Sequence, residues 1–555
     1  VRIDAARARA YPGVAVVITG RDLPNYNANP TSRRHATLPK AEVLFHGQPV
    51  AAVLAEDPVV AEEAAELVAV EYEELPEVLD PLVAMAEGSP LARQPLTEID
   101  RSEERGHITL DVSGEEAEGK PTNISSQIRF ARGDVEKGLA EADVVVERTW
   151  RSGMVHQGYI EPHVTIADYD INGDLTIWSS TQAPFYVRDE VSTVLGIPEK
   201  RIRVIATEVG GGFGGKNFLE QMLAAALAVQ MRRPVKLVMS RKEDMLAAMP
   251  APQVVVELKT GMKRDGTLVA LRARLIYDSG AYPGAPVVQG CMYIGGYYRC
   301  PNIEIQGYEV LTNKVSVGAL RAPGTHNATW AMECHMDMMA RELGLDPLEV
   351  RLKNAVGAGD PLPSGAPYPS IGLRQVLERV AESPIWRQRQ AAKGSDRKLR
   401  GVGLAVGGWQ GGLQPASAIV ALNADGTVNV TIGASDITGV RTSFAQMAAE
   451  ELRLPMEKVS VVSGDTRTAP YAGMSAGSKI TFTVGRAVKQ AAEDARRQML
   501  EIAADRLEAD SSDLELVEGR VQVKGDPERA VTLEQMGQMT TAFAARYAPV
   551  VGRGS

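Results

Sequence analysis

The sequence predicts a multidomain protein of mixed α/β (α+β) class, on two observations. The chain has 555 residues, more than one ordinary hydrophobic core organises, so two to four domains follow. Short β-rich runs also alternate with stretches of helical period along its whole length, from "GVAVVITG" near the start to "KVSVVSGD" near the end.

Residues 1–85 read as a compact α/β unit. "GVAVVITG" and "PVAAVLAE" are strands between turn residues. "DPVVAEEAAELVAV" begins a helix, with Asp57 as N-cap and Pro58 at the first helical position. "VAVEYEEL" alternates again. Residues 86–125 are charged and turn-rich and read as a connector. In 126–355, "LTIWSS", "RIRVIATEV", "VVVELKT" and "LVALRARLIYDSG" read as strands. "NFLEQMLAAALAVQMRR" and "NATWAMECHMDMMARELG" read as amphipathic helices. Residues 356–400 form a second connector. In 401–555 a strand pair spans "NADG" at 423–426, a strong hairpin signal. A helix, the strand "KVSVVSGD" and a long helix after Gly477 follow. No short-period repeat is visible. The opening at Val1 inside a strand-like run, and the ending "VVGRGS", read as truncation at both ends.

Composition excludes several functions. Hydrophobic residues at 44% and charged residues at 23% are ordinary for a globular chain. A net charge of −10 without Lys/Arg clusters argues against a nucleic-acid surface. No apolar run is long enough to span a bilayer, and no secretory signal opens the chain, so a cytoplasmic location is expected. Cys291, Cys300 and Cys334 are too few for a disulfide framework or a four-cysteine cluster and read as buried thiols.

The segment "EVGGGFGGKN" at 208–217 follows a predicted strand and precedes a predicted helix. Such a loop exposes backbone N–H groups at a helix start, where oxyanions bind. Gly210, Gly215 and Lys216 nearly make a P-loop, but Asn217 stands where Ser or Thr would hold Mg²⁺. Gly210, Gly212 and Gly215 satisfy the dinucleotide spacing, but "RRPVKLVMS" lacks the ribose-binding carboxylate. The segment "GMSAG" at 473–477 matches a hydrolase elbow, yet no histidine follows His335. Ser475 and Ser478 read better as helix caps that also face an anion. The seven histidines form no metal-ligand motif, and packing or polar support is the default role of His156 and His163.

Six ordered segments resemble the molybdopterin-binding large subunit of the xanthine dehydrogenase/aldehyde oxidase family. They are "HGQPVAAVLAEDPVVAEEAAELVAVEYEELPEV" at 46–78, "GYIEPHVTIADY" with "WSSTQAPFYVRDEVSTVLG" at 158–196, "EVGGGFGGKN", "ALRAPGTHNATWAMECHMDMMARELGLDPLEVRLKN" at 319–354, "SFAQMAAEELRLPMEKVSVVSGDT" at 443–466 and "GMSAGSKITFTVGRAV" at 473–488. The resemblance implies an α/β-hammerhead-like first domain and two molybdopterin-binding mixed α/β domains, the second incomplete at its C-terminus. It implies a molybdenum cofactor, as molybdopterin or molybdopterin cytosine dinucleotide. The pterin's dithiolene would supply the sulfur ligands, so no protein ligand to the metal is expected. Gln182 would approach an oxo ligand. Gly212, Phe213 and Gly214, with Gly211 in the same loop, would lie beside the metal. Arg321 would stand near the pterin, and Ser475, Gly477 and Ser478 would hold the distal phosphate end.

Family members hydroxylate an aldehyde or N-heteroaromatic carbon with oxygen from water. A glutamate serves as general base, and electrons leave through iron–sulfur clusters to FAD. Here the clusters and FAD would sit on a [2Fe–2S] subunit and an FAD subunit, with a dimer of heterotrimers as one assembly. The base is expected beyond Ser555, so none is named. Asn217 and Pro323 replace a Glu and a Phe of the purine-oxidising pocket, which turns the expectation away from purines. "DITG" at 436–439 replaces a cofactor motif and leaves Thr438, beside Gly439, where a Gln is usual. Two rival classes stand beside this one: a cofactor-free scaffold or binding subunit of the same fold, and a P-loop nucleotide-binding protein.

Overall fold

The computed structural model describes residues 2–26, 32–35, 37–93, 122–217, 219–389, 398–412, 414–437 and 439–555. Parts of both connectors, 94–121 and 390–397, lie outside the described residues.

In the N-terminal unit, β1 (Arg2–Asp4), β2 (Val14–Thr19), β3 (Ala51–Ala55) and β4 (Ala69–Glu71) form two antiparallel ladders, β1 with β4 and β2 with β3. The helix Pro58–Glu66 starts where its cap dictates, with the Asp57 carboxylate accepting from Val59 N and Val60 N. "VAVEYEEL" yields only the short β4, because residues 72–80 have no ladder partner.

The next body holds two sheets. Its strands are β5 (Ile124–Arg132), β6 (Val144–Arg151), β7 (Val164–Tyr169), β8 (Leu175–Ser179), β9 (Ile202–Ala206), β10 (Val235–Val238), β11 (Val254–Met262), β12 (Leu268–Gly280) and β13 (Asn302–Leu311). One sheet has the order β5-β13-β12-β11-β6, the other β10-β7-β8-β9. The helix Thr325–Leu343 packs on the five-stranded sheet through Ala328, Met332, Met336 and Met339, spaced to face one side. The helix Glu220–Met231 is buried from Glu220 to Ala228. Its "LAAALA" run is all small or aliphatic, which lets it sit close against β7.

The last body contains β14 (Ala418–Leu422), β15 (Val428–Ile432), β16 (Val459–Ser463), a meander of β17 (Leu514–Val517), β18 (Arg520–Val523) and β19 (Asp526–Thr532), and β20 (Val551–Gly554). The β14–β15 hairpin turns at Gly426, whose φ is +77°. The long helix Gly485–Leu507 covers this sheet with Ala487, Ala491, Ala492, Ala495 and Met499.

The two four-stranded sheets share one topology. In each, an antiparallel hairpin (β7–β8, β14–β15) is followed by a helix, Pro184–Leu195 or Val440–Glu451. That helix returns the chain to a parallel strand, β9 or β16. A later strand, β10 or β20, pairs antiparallel on the hairpin's free side. Only sparse identities accompany this internal duplication, such as Leu195, Pro198 and Val204 against Leu452, Pro455 and Val461, so no short-period repeat is visible in the sequence. The halves join edge to edge. Beyond β16, Thr466 N donates to Val204 O at 3.0 Å, and Ala206 N donates to Gly464 O at 2.8 Å. Arg203 clamps Asp465 across the seam at 2.6 Å. The open edge of β9 is thereby covered, as a sheet edge requires. Among the described residues no helix is long and apolar enough to cross a membrane.

Candidate functional site

Ligands of open α/β sheets bind beyond the carboxyl ends of the parallel strands, where loops lead into helix starts. Four such loops exist here, two from each half. They follow β8 (180–183), β9 (207–219), β15 (433–439) and β16 (464–479). Gln182 ties three segments together. Its Oε1 accepts from Gly214 N at 2.9 Å and Lys216 N at 3.3 Å, and its Nε2 donates to Ser475 O at 2.8 Å. Its backbone N donates to Lys216 O, and its carbonyl accepts from Ser475 N, both at 2.7 Å. The two donors on Oε1 fix which end of the amide is oxygen.

The glycine loop turns sharply. Gly211, Phe213 and Gly214 have φ of +90°, +53° and +106°. A Cβ on Gly212 would lie 2.4 Å from Gln182 Oε1, and one on Gly214 would lie 2.4 Å from Ala319 O. Glycine is therefore required by close approach at both. Gly215 N closes the turn on Gly212 O at 2.8 Å. The N–H groups of Gly212 and Phe213 have no acceptor among the described residues. Gly212 is buried, whereas the Phe213 side chain is half-exposed. Arg321 N donates to Phe213 O at 2.8 Å, which brings residues 321–324 alongside, with Pro323 buried and the Arg321 side chain exposed. The Asn217 side chain folds back, Nδ2 donating to Gly214 O at 3.0 Å, and its buried Oδ1 is left without a partner.

Beneath the loop lies a polar layer that sequence reasoning did not find. Lys216 is fully buried, and its ammonium meets Glu161 at 2.5 Å. Burial pushes that ammonium below the ordinary lysine range, and Glu161 pulls it back only in part. Glu161 also accepts from Gly210 N at 2.7 Å. A P-loop lysine must reach phosphate, so this inward pairing removes the nucleotide rival. Gln157 Nε2 holds Met249 O and Ala319 O at 2.7 and 2.8 Å. Glu220, at the start of the next helix, belongs to the same layer. It is buried and accepts from Thr165 Oγ1 at 2.8 Å. The only sequence sign of this layer was the clustering of polar residues in "HQGYIEPH".

The second half supplies the matching loops. Asp436 Oδ1 accepts from Gly439 N at 2.9 Å and Val440 N at 3.0 Å, so it starts the helix that Gly439 (φ +81°) leads into. Thr438 lies outside the described residues. Gly473, Gly477 and Ser478 are all left-handed, with φ of +65°, +63° and +54°. Neither serine caps the long helix. Ser475 Oγ donates to Ser435 O at 3.3 Å, and a π-helical turn, Ile480–Val484, intervenes before Gly485. The buried indole nitrogen of Trp409, which has no partner among the described residues, is a third unassigned donor and lies 3.9 Å from where a Gly477 Cβ would be.

Lys479 is buried, donates to the Ala472 and Pro415 carbonyls, and has no carboxylate partner among the described residues. Burial pushes it down to about 8. The unfolded chain titrates near roughly 10.4 and so binds more protons across the interval between these values. Stability therefore rises with pH from about 8 to roughly 10.4 through this group. Lys479→Met should flatten that limb in urea midpoints taken across the window. Parallel curves for variant and parent would contradict it.

Paired loops at strand ends, unassigned backbone donors and a neutralised polar layer beneath them define an α/β cofactor-binding protein. The donors are N–H groups and amides, which suit oxo and phosphate oxygens rather than a bare cation. Family models agree. Two match a molybdopterin cofactor-binding domain, over residues 117–355 and 379–553, and one matches the aldehyde oxidase and xanthine dehydrogenase a/b hammerhead domain over 1–76. The nicotine 6-hydroxylase large subunit of Paenarthrobacter nicotinovorans is 31% identical, over 96% of this chain and 66% of its own length. The xanthine dehydrogenase molybdenum-binding subunit of Escherichia coli O157:H7 is 31% identical, over 100% of this chain and 73% of its own. The crystal structure of quinoline 2-oxidoreductase from Pseudomonas putida 86 superposes with a TM-score of 0.85 at 28% identity, covering 100% of this chain and 73% of that one. The chain belongs to the xanthine dehydrogenase/aldehyde oxidase family, as a molybdopterin-binding large subunit. It spans 66% of the length of the first of these relatives, about two thirds.

Proposed function

We propose that this chain is the cofactor-binding part of a molybdenum hydroxylase that oxidises an aldehyde or N-heteroaromatic compound with oxygen from water. The observation that carries the reading is the convergence of loops from both halves on Gln182, next to the unassigned N–H groups of Gly212 and Phe213. In this reading Gly212 and Phe213 present donors to the metal's oxygen ligands, Gly211 and Gly214 shape the turn that aims them, and Gln182 holds the turn in register with Ser475. Arg321 lies by the pterin. Gly439, Ser475, Gly477 and Ser478, with Thr438, hold the phosphate end. Bound molybdopterin supplies the two-electron redox chemistry and the acidified oxygen. The protein's part is to aim donors, bury the reacting carbon and exclude competing water.

Asn217 and Pro323 shape the substrate side. A neutral amide and a proline ring give less charge and less stacking surface than a purine pocket asks for, which supports an aldehyde or simple heteroaromatic substrate. The general base is a glutamate outside this chain segment. Electrons pass to [2Fe–2S] and FAD subunits in a cytoplasmic complex, with a dimer of heterotrimers as its assembly. The domains divide as 1–85, 126–355 and 401–555, with the connectors between. The full complex, given an aldehyde and a quinoline-type heterocycle in ¹⁸O-labelled water, should place the label in the product. Unlabelled product, or turnover by a preparation without molybdenum, would reject the reading.

A further inference from the structure

His163 is fully buried, and its ring meets two groups that can only accept, together with the Tyr159 hydroxyl, 3.3 Å from Nδ1 but nearer, at 3.0 Å, to Asp244 Oδ1. Its Nδ1 lies 2.7 Å from Asp244 Oδ1, and its Nε2 lies 3.2 Å from the carbonyl of Gly215. A carbonyl has no proton to give. Asp244 has none either: its Oδ1 also accepts from Tyr159 OH at 3.0 Å, and its Oδ2 accepts from Arg241 Nη1 at 3.0 Å. A neutral imidazole would set a nitrogen lone pair against an oxygen lone pair at one of these contacts. Protons on both ring nitrogens remove that conflict and make the ring a cation.

The surroundings support the charge. Asp244, itself paired with Arg241, faces the ring from the helix Arg241–Ala247, Glu220 from the helix Glu220–Met231, and Tyr159 and His156 from the segment before β7, while Lys216 of the glycine loop shares the field of Glu220 and Asp244. Burial alone would push His163 down, but Glu220 and Asp244 outweigh it and hold the ring above the ordinary histidine range. Burial likewise would push Asp244 up, yet the bonds from His163 and Tyr159 hold it low.

The Gly215 carbonyl is thereby pinned from below, and Gly215 N closes the turn on Gly212 from above. We propose that His163 is a positioning residue, a buried imidazolium that fixes the turn at 212–215 and so sets the direction of the Gly212 and Phe213 N–H donors. The inference deepens the cofactor reading given above and relies on it only for what those donors meet. A raised folded pKa means that this anchoring is complete at low pH and is lost as pH rises through the folded value.

Selective ¹⁵N-histidine NMR on the full-length protein tests the ring directly. The expected result at pH 7 is one buried histidine with both nitrogens protonated, assigned by its loss in His163→Gln or by its through-space contact with Tyr159, whose ring centroid is 5.4 Å away. A resonance with one unprotonated nitrogen overturns the proposal. Hydrogen exchange of peptides over 209–217, corrected for intrinsic rates, tests the consequence. The parent loop should lose protection at least ~10-fold as the ring deprotonates, a change of about 1.4 kcal/mol in opening free energy. His163→Gln keeps one donor but no charge, so its loop should already be open at pH 6 and show no pH dependence. Unchanged protection in that variant overturns the proposal as well. A doubly protonated ring in active protein that lacks pterin would sink only the cofactor reading, and a neutral ring in pterin-loaded protein would sink only this one.

Discussion

Gly214→Ala will empty the site of molybdenum and pterin while the rest of the fold survives. Two costs combine at this residue. Its φ of +106° is a conformation that an L side chain adopts only under strain, of about 1–3 kcal/mol. An added Cβ would also sit 2.4 Å from Ala319 O and 2.8 Å from Ala319 C, both backbone atoms that no rotamer change can move. Overpacking of this kind costs about 1–3 kcal/mol more. The loop will relieve both by moving away from Ala319, which breaks the bond from Gly214 N to Gln182 Oε1 and releases the joint with Ser475. Gly365→Ala is the control. It also has positive φ, +88°, but nothing stands within 4 Å of its added Cβ. The expected outcome is at least a tenfold fall in metal and pterin per chain for Gly214→Ala, with the control near parent. Equal loading of the two variants would show that loop closeness does not matter to binding.

Glu333→Ala will be the most destabilising single change away from the site. Arg351 is fully buried, with Nε 2.8 Å from Glu333 Oε2 and Nη2 3.1 Å from the Glu333 carbonyl. Glu333 also accepts from Tyr298 OH at 2.5 Å and from Val406 N at 2.7 Å. It therefore joins three distant segments by one carboxylate. Truncation leaves a buried guanidinium whose one remaining counter-charge among the described residues is the half-exposed Asp337, 2.8 Å from Nη1. Stripping one partner from a buried pair costs about 3–5 kcal/mol, whereas replacing both by apolar groups is often neutral. Glu333→Leu with Arg351→Met should therefore recover much of the loss. Chemical unfolding followed by near-UV circular dichroism decides it. A loss under about 1 kcal/mol in the single variant would mean that Asp337 suffices.

Much of the fold was legible because its signals are local. Asp57 before Pro58, the "NADG" turn and the glycines at 210–215 each act within a few residues of themselves, and each does in the structure what its chemistry allows. The long helix after Gly477 was legible as a helix but not in its start. Ser478 takes a left-handed φ, and the chain makes a π turn before Gly485, a geometry with no side-chain signature. The polar layer was not legible, because its partners come from far apart. Glu161 meets Lys216 from 55 residues away, and His163 meets Asp244 from 81. Glu220 heads an alanine-rich helix, and only the presence of Thr165 and His163 opposite distinguishes it from a solvated carboxylate. The duplication of the four-stranded sheet was hidden for a related reason. Topology repeats through strand order and helix placement, which many unrelated apolar patterns satisfy.

The parent arm of the loading assay bears most directly on the central claim, that loops from both halves together hold one pterin-bound molybdenum. Purified full-length protein should contain molybdenum and pterin in a one-to-one ratio, both lost together in Gly214→Ala. Active parent protein lacking either component, or molybdenum that stays bound after the pterin is gone, would contradict it.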